Sequence, residues 1–279
     1  MPELPEVEIA GRGIRPLVAG NDILRAIVRT PRLRHEFHPQ LPQILAGLRV
    51  EDVRRRGKYL LLPCSAGGVG SGTLIIHLGM SGSLLWLTPD AAARPPGKHD
   101  HFDLVFADGA LRLNDPRRFG AVVWHAGTDV EANPLIAPLG IEPFDEGFTG
   151  AWLHAAFRAR SAPVKTVLMD SHTLVGVGNI YASESLFRAA VSPLRAARRI
   201  AAARCDRLAD AVRETLADAI RAGGSSIRDY VHADGGSGCF QVECAVYERH
   251  GEPCRRCAGN VRQIRQGGRS TYYCPGCQH

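Results

Sequence analysis

The chain has 279 residues, of which 45% are hydrophobic and 22% are charged, and these proportions are typical of folded globular proteins. No apolar run approaches the length of about 18 residues that a membrane-spanning helix requires. The first residues also lack the basic and apolar regions of a secretion signal. We therefore expect a cytoplasmic protein that does not associate with membranes.

The net charge of +6 comes from the second half of the chain. Residues 1–150 carry 16 Lys and Arg against 17 Asp and Glu, whereas residues 151–279 carry 18 against 11. A basic region of this kind suits a polyanionic partner such as a nucleic acid. Two basic clusters, at 29–35 and 54–58, also occur in the first half, although charge clusters are more often solvated surface.

The first 130 residues are predicted to form a helix followed by a sheet domain. Pro5 and the acidic residues beside it suit the first turn of a helix over 5–18. The short β-rich runs that follow predict a β-sandwich or a barrel-like domain. We expect a hairpin tip at the glycine-rich stretch 65–72, and strands at 23–28, 59–62, 73–78, 101–106 and 121–124.

The rest of the chain is predicted to be helical, with a small β unit at its end. Three prolines punctuate a linker at 131–149, and the clearest helix runs from about 203 to 222. A glycine-rich loop follows near 225–240 and completes a helical domain at 150–242, and a β-hairpin unit covers 243–279. The predicted class is thus α+β with two domains.

Four of the eight cysteines form a zinc-binding pattern. Two Cys-x-x-Cys pairs are separated by sixteen residues, a spacing that can arrange four thiolates around one Zn²⁺. Because protein ligands would fill all four positions, we expect a structural site. Residues 249–279 also contain six arginines and one glutamate, with Arg269 near the expected hairpin tip, so the unit could be a nucleic-acid finger. The predicted ligands are Cys254, Cys257, Cys274 and Cys277.

A second pattern is the glycine-rich stretch L-V-G-V-G-N-I-Y, 174–181, directly before a predicted helix. Asn179 suits the N-cap position of that helix. A glycine-rich turn that opens a helix exposes N–H groups that can bind phosphate. Taken alone, an ordinary helix start explains the stretch equally well.

The first residues, M-P-E-L-P-E-V-E, allow a third kind of chemistry. Removal of Met1 would leave Pro2 with a free secondary amine. An α-amino group has a pKa of about 7.7–8.0, well below that of lysine, so much of it is nucleophilic at neutral pH. Such an amine can form a Schiff base with a sugar carbon, and Glu3 beside it could move protons. Taken alone, this dipeptide is better explained as an ordinary beginning of a chain that has no catalytic role.

Seen together, these motifs closely resemble the bacterial formamidopyrimidine-DNA glycosylases over essentially the whole chain. The resemblance rests on M-P-E-L-P-E-V-E (1–8), G-K-Y-L-L-L (57–62), H-L-G-M-S-G-S-L (77–84), K-H-D-H (98–101), D-P-R-R-F-G (115–120), L-V-G-V-G-N-I-Y-A-S-E (174–184) and the paired cysteines. Several separated motifs in the same order are more specific than any one of them.

The resemblance implies a two-domain DNA-repair enzyme. Its first domain would be a helix-flanked β-sandwich that carries the catalytic residues. Its second would combine a helix-two-turn-helix motif with a zinc-ribbon hairpin holding one structural Zn²⁺. Such enzymes excise oxidised purines, 8-oxoguanine and formamidopyrimidines, from duplex DNA and then cut the strand by β,δ-elimination. The resemblance further implies a monomer that works at the bacterial nucleoid.

The resemblance also implies roles for individual residues. Pro2 becomes the nucleophile, Glu3 the general acid–base partner, and Lys58 an aid to proton transfer or phosphate binding. Glu6 supports the lesion pocket. Met80, Arg117 and Phe119 fill the space that a flipped base leaves. The remaining expected DNA contacts are His77, His99, Asn179, Lys165 and Arg269, of which Arg269 is grouped with the catalytic residues.

Alternative interpretations remain for several residues and for the function. Lys165 alone could be an ordinary surface lysine, and Met80 and Phe119 could be core residues. Cys239 stands where the family's lesion loop often has an aromatic residue, so the ranking of lesions is open. Two alternatives to the purine enzyme remain: an endonuclease VIII-like glycosylase for oxidised pyrimidines, and a non-catalytic zinc-finger protein that binds damaged DNA. Leu4, Met80 and the Arg117–Phe119 pair favour the purine enzyme.

Overall fold

The computed structural model describes residues 2–224 and 244–279. The chain divides into two compact units. Among the described residues, the first unit contains 2, 6–137 and 223–224, and the second contains 3–5, 138–222 and 244–279. The division falls between Ala137 and Pro138. The connecting residues 127–149 contain one short 3-10 turn, Val130–Ala132, and no other helix or strand.

The first unit is a β-sandwich flanked by a helix, as predicted. Helix α1 is Leu4–Val18, and the short helices α2 and α3 are Leu41–Leu45 and Pro89–Ala92. The strands are β1 (Arg25–Val28), β2 (Arg49–Val50), β3 (Arg54–Arg56), β4 (Tyr59–Ala66), β5 (Val69–His77), β6 (Ser83–Leu87), β7 (Asp100–Phe106), β8 (Gly109–Asn114) and β9 (Ala121–Ala126).

These strands form two antiparallel sheets that face one another. One sheet has the order β1-β7-β8-β6, and the other has β2-β4-β5-β9 with β3 also paired to β4. Side chains from both sheets share one core, to which Ile14 of α1 contributes. Alternate residues of a strand point to opposite faces, so Leu60 and Leu62 of β4 both reach this core.

The predicted extent of the β4–β5 hairpin tip was wrong. The strands pair as far as Ala66 and Val69, and only Gly67 and Gly68 form the turn. Both glycines have positive φ angles, which suits a two-residue hairpin turn. The glycines at positions 70 and 72 lie within β5, where Gly72 leaves room for the Trp124 ring.

The second unit is helical and ends in a β-hairpin. Its helices are α4 (Gly150–Phe157), α5 (Val164–Leu168), α6 (Asn179–Arg188) and α7 (Ala202–Arg221), with a 3-10 turn at Ala197–Arg199. Leu208, Val212 and Leu216 of α7 lie on one face and enter the core, as the sequence pattern predicts. Strands β10 (Arg262–Gln266) and β11 (Arg269–Tyr273) form the hairpin around the turn Gly267–Gly268.

The predicted fold class is therefore confirmed. The predicted lesion loop near 225–240, including Cys239, lies outside the described residues. In the described part of the chain, no helix combines the length and the apolar character needed to cross a membrane.

Candidate active site and nucleic-acid interface

The carboxylate of Glu3 caps the amino-terminal end of helix α6. Its Oε2 accepts hydrogen bonds from the N–H groups of Gly178 at 2.7 Å and Tyr181 at 3.4 Å, and its Oε1 accepts one from Ile180 at 3.0 Å. The side chain of Glu3 is 2% exposed. Helix amino termini bind anions because their first N–H groups lack partners within the helix. Glu3 is thus fixed directly beside Pro2, which is also buried.

The prediction that Asn179 caps this helix was wrong. The N-cap residue is Gly178, which has no side chain to make a capping hydrogen bond, and Asn179 is the first residue of α6. The capping groups come instead from Glu3, which lies 175 residues earlier in the chain. The side chain of Asn179 is therefore available for other contacts, and its Oδ1 accepts a hydrogen bond from Lys165.

Lys165 is buried, which excludes the interpretation as a surface lysine. Its side chain is 2% exposed, and its Nζ donates to Asn179 Oδ1 at 2.7 Å, Thr271 Oγ1 at 2.8 Å and the Ser270 carbonyl at 3.1 Å. Burial lowers the pKa of Lys165 to about 8, the charge of Glu3 opposes this shift, and the positive charge of Arg269 adds to it. Lys165 therefore joins α5, α6 and the hairpin at one point.

A cavity lies at this junction in the second unit. Its lining includes Lys165, Asn179 and Arg269, three of the predicted DNA contacts, together with Gln266 and Thr271. Arg269 directly follows the hairpin turn, as the sequence predicts. Two cationic side chains and an amide around one cavity form a suitable site for a phosphate group.

Lys58 and His77 lie together in the first unit. Lys58 precedes β4, whose first residue, Tyr59, is paired with His77 at the end of β5. The rings of Tyr59 and His77 have centroids 4.7 Å apart. Burial, together with the positive charges of Lys58 and Arg34, lowers the pKa of His77 to about 4. His77 is consequently neutral at physiological pH.

The hydrogen bonding of His77 also defines its tautomer. The N–H of Gly79 donates to Nδ1 of His77 at 3.0 Å. Since Nδ1 accepts this bond and the ring is neutral, the ring proton lies on Nε2. The Nε2–H group can therefore donate to a phosphate oxygen as a neutral donor.

The three residues predicted to fill the space of a flipped base lie on two loops of the first unit. Met80 is 38% exposed and Phe119 is 45% exposed, so neither is a core residue. The Arg117 guanidinium lies over the Phe119 ring, 4.9 Å from its centroid. Exposed apolar side chains of this size suit insertion between bases.

The two remaining predicted residues occupy less informative positions. Glu6 lies in α1 with a side chain 1% exposed, and Gly224, the last described residue before 244, is next to it. His99 lies in the turn before β7, where its carbonyl accepts a hydrogen bond from the Asp115 N–H at 2.9 Å. Their proposed roles in the lesion pocket and in DNA binding remain predictions.

The four predicted zinc ligands converge in the second unit. Their Sγ atoms all lie within 4.8 Å of one another, with 3.8 Å between Cys254 and Cys277 and 3.5 Å between Cys257 and Cys274. A tetrahedral zinc–thiolate site with bonds of about 2.3 Å requires sulfur separations of about 3.8 Å. The cysteines therefore fit one structural Zn²⁺.

Three further residues, which the sequence patterns did not single out, organise the site. Glu184 accepts hydrogen bonds from the N–H groups of residues 245–247 at 2.8–3.0 Å. Tyr247 hydrogen-bonds to the Asn179 side chain and packs edge-on against Tyr272. Asp115 links the two loops that carry Met80 and Phe119. Asp115 and Glu184 belong to motifs that carry the resemblance, D-P-R-R-F-G and L-V-G-V-G-N-I-Y-A-S-E, whereas Tyr247 belongs to none of them.

Comparison with known protein families matches almost the entire chain. The formamidopyrimidine-DNA glycosylase N-terminal domain matches residues 1–122, and the H2TH domain of the same enzymes matches 139–231. A zinc finger found in these glycosylases and in IleRS matches 251–279. These matches support both the predicted helix-two-turn-helix motif and the zinc ribbon.

Individual relatives are similar over their full lengths. A formamidopyrimidine-DNA glycosylase of Dechloromonas aromatica is 61% identical over 281 residues, and one of Burkholderia thailandensis is 54% identical, with complete coverage of both chains in each case. The solved complex of Lactococcus lactis Fpg with DNA containing an abasic site is 33% identical, covers 99% of each chain and has a TM-score of 0.89. The solved complex of a Lactococcus lactis Fpg variant with DNA containing Fapy-dG is also 33% identical and also has a TM-score of 0.89. The chain therefore belongs to the formamidopyrimidine-DNA glycosylase family.

Proposed function

We propose that this chain is a bifunctional DNA glycosylase and AP lyase that removes oxidised purines from duplex DNA. The observation that carries the proposal is the position of Glu3. Its carboxylate is buried and held by the backbone N–H groups of Gly178 and Ile180, directly beside Pro2. A fixed carboxylate next to a chain-terminal secondary amine meets the needs of Schiff-base chemistry.

The first chemical step is attack by the Pro2 nitrogen on C1′ of the damaged nucleotide. The attack breaks the bond between the base and the sugar, and the departing base takes up a proton. Glu3 moves protons at the sugar, a role that requires a carboxyl group in a fixed position. Opening of the sugar ring then gives a cationic Schiff base between Pro2 and C1′.

The second activity is cleavage of the DNA strand. The cationic Schiff base acidifies the neighbouring C2′–H, and loss of this proton expels the 3′ phosphate. A second elimination expels the 5′ phosphate and leaves a one-nucleotide gap with a phosphate at each side. Lys58, on the strand-bearing unit, assists the proton transfers or holds a phosphate. Hydrolysis of the Schiff base then releases Pro2.

DNA binding is proposed to use phosphate contacts for position and the exposed loops for base flipping. His77, Asn179 and Arg269 contact phosphates, and Lys165 supports the cavity near Arg269. Met80, Arg117 and Phe119 occupy the space of the flipped base, and Arg117 offers donors to the unpaired cytosine. The four cysteines would hold a structural Zn²⁺ that stabilises the hairpin carrying Arg269, and no chemical step would pass through it.

The lesion class follows from residues that favour the purine enzyme, namely Leu4, Met80 and the Arg117–Phe119 pair. Two solved complexes of the Lactococcus protein bear on this point: one contains Fapy-dG DNA, and another contains DNA with an oxidised pyrimidine. An endonuclease VIII-like preference is therefore the alternative that the substrate test must separate. A purely binding protein is disfavoured because Pro2, Glu3 and Lys58 are all present.

Release of free base from defined duplexes tests this proposal. We expect excision of 8-oxoguanine opposite cytosine to be much faster than excision of thymine glycol, and Glu3→Gln to reduce base release by about a hundred-fold or more. Faster excision of thymine glycol would instead support the pyrimidine enzyme. Binding of damaged DNA without any base release would support the non-catalytic alternative.

We further propose that the protein works as a monomer on chromosomal DNA in the bacterial cytoplasm. Sedimentation of the complex with a short damaged duplex measures this directly. A single protein chain per duplex is expected, and two chains per duplex would contradict the proposal.

A further inference from the structure

Asp115 lies between the loop that carries Met80 and the loop that carries Phe119. Its side chain is fully buried, at 0% exposure. One carboxylate oxygen, Oδ1, accepts a hydrogen bond from Ser81 Oγ at 2.8 Å, and the other, Oδ2, accepts one from the Gly120 N–H at 2.8 Å. Each oxygen therefore holds a different loop.

Further contacts draw the two loops together. The N–H of Arg117 donates to Ser81 Oγ at 3.2 Å, so Ser81 connects both to Asp115 and to the second loop. Gly79 has a φ of +66°, and a Cβ built there would lie 2.4 Å from the nitrogen of Gly120. The loop backbones thus meet at a distance that only glycine permits.

Asp115 is itself attached to the sheet. Its N–H donates to the carbonyl of His99 at 2.9 Å, and its carbonyl lies 3.0 Å from Nε2 of His101, which is buried. These contacts fix the backbone of Asp115 at the end of β8, while its carboxylate spans the two loops. Charge-assisted hydrogen bonds to a buried carboxylate are among the stronger polar contacts in proteins.

We infer that Asp115 is a positioning residue that couples the Met80 loop to the Phe119 loop, so that both side chains enter the DNA as one rigid unit. The inference rests on the proposed function, since it assumes that Met80 and Phe119 fill the space of the flipped base. Asp115 is buried and acts through the loops. Its loss should therefore slow base flipping much more than it slows chemistry on a base that is already unpaired.

Single-turnover excision at saturating enzyme tests this inference with two duplexes. In one, 8-oxoguanine is opposite cytosine, and in the other it is opposite a tetrahydrofuran abasic analogue, so that less pairing energy opposes flipping. The measured quantity is the ratio of the excision rate on the paired duplex to that on the unpaired duplex. Asp115→Asn is expected to lower this ratio by about ten-fold or more. Ser81→Ala should lower it less, because it leaves the bond to Gly120 intact.

Two comparisons separate coupling from general damage to the fold. Asp108→Asn makes the same chemical change at an exposed position and should leave the ratio unchanged. Combining Asp115→Asn with Met80→Ala should lower the ratio by less than the product of the single effects, because coupled residues are not additive. If Asp115→Asn fails to fold, Ser81→Ala with Met80→Ala gives the same comparison.

The outcomes also distinguish this inference from the proposed function. Equal slowing on both duplexes, or effects that multiply fully with Met80→Ala, would overturn the coupling role of Asp115. An unchanged ratio in Met80→Ala alone, or no excision by the unaltered protein, would instead overturn the function on which the inference rests. If Asp115→Asn lowers the ratio and its effect does not multiply with that of Met80→Ala, the result supports both the inference and the proposed function.

Discussion

The carboxylate of Glu3 occupies space that exists only because residue 178 is a glycine. A Cβ built on Gly178 would lie 2.3 Å from Cδ of Glu3 and 2.4 Å from its Oε1. The same glycine donates its N–H to Glu3 Oε2 at 2.7 Å. The glycine-rich turn before α6 thus receives a carboxylate from its own chain, where the sequence pattern left a phosphate site and an ordinary helix start equally open.

Gly178→Ala is expected to displace the Glu3 carboxylate and slow base excision by about a hundred-fold, the usual scale of general acid–base catalysis. Single-turnover excision of 8-oxoguanine measures the effect. Gly147→Ala is the matched control, because its Cβ would make only an ordinary contact of 3.4 Å with Ile141. Excision by Gly178→Ala at the control's rate would show that catalysis does not depend on this position of Glu3.

Lys165 should make DNA binding depend on pH near 8. Burial lowers its pKa to about 8, so the folded protein loses this positive charge as the pH rises through 8. Affinity for a tetrahydrofuran duplex is expected to fall by up to about ten-fold between pH 7 and 9.5. This fall in affinity should be smaller in Lys165→Met. In the exposed control Lys98→Met it should be as large as in the unaltered protein. Identical pH profiles for Lys165→Met and the unaltered protein would contradict this role.

The same shift gives a prediction for stability. Because the unfolded chain holds the Lys165 proton up to its ordinary pKa, the cost of burying the charge is fully present below pH 8 and disappears as the pH rises toward 10.5. Lys165→Met removes this cost. Its free energy of unfolding at pH 7 minus that at pH 10 should therefore exceed the same difference in the unaltered protein. Urea unfolding at the two pH values measures this difference, and an equal change at both would contradict it.

His77 is expected to bind phosphate as a neutral donor. Its pKa of about 4 leaves it uncharged at pH 7, so His77→Ala should weaken DNA binding without changing its dependence on salt. Lys58→Ala, the charged comparison from the same edge of the sheet, should reduce the slope of log affinity against log salt by about 0.9. A reduced slope in His77→Ala would mean that the bound histidine is protonated.

Removal of zinc is expected to weaken DNA binding more than it slows the chemical step. Without metal the hairpin loses folding energy, and Arg269 and the Lys165 partners Ser270 and Thr271 lose their positions. Cys254→Ser should lower affinity by about ten-fold or more. Excision at saturating enzyme should change less. Cys244→Ser is the control outside the cluster, and unchanged affinity after chelation would refute the prediction.

The sequence predicts features that depend on local spacing. The face of α7 that enters the core and the four zinc ligands follow from periodicity and spacing alone, and the structure confirms them. The β4–β5 hairpin is also present, although its turn is shorter than predicted. The cap of α6 could not be found in this way. A local rule assigned it to Asn179, whereas Glu3 reaches the helix from the other end of the sequence.

Burial was equally hard to predict for isolated polar residues. Nothing near Lys165 in the sequence indicates that its side chain lies between two helices and a hairpin. Asp115 likewise looks like an ordinary turn residue before a proline, and its link between two loops emerges only when strands β5 and β8 are in place. Long-range contacts of this kind depend on tertiary structure, which single-sequence patterns do not encode.

Borohydride trapping tests the central claim, that the Pro2 nitrogen is the nucleophile, most directly. The protein is mixed with a duplex containing 8-oxoguanine opposite cytosine, reduced, and digested to locate the peptide that is joined to DNA. We predict a covalent adduct on the amine of Pro2, and none in Pro2→Gly carrying a blocked amino terminus. An adduct on a lysine, or full trapping and strand cleavage by the blocked protein, would contradict the account.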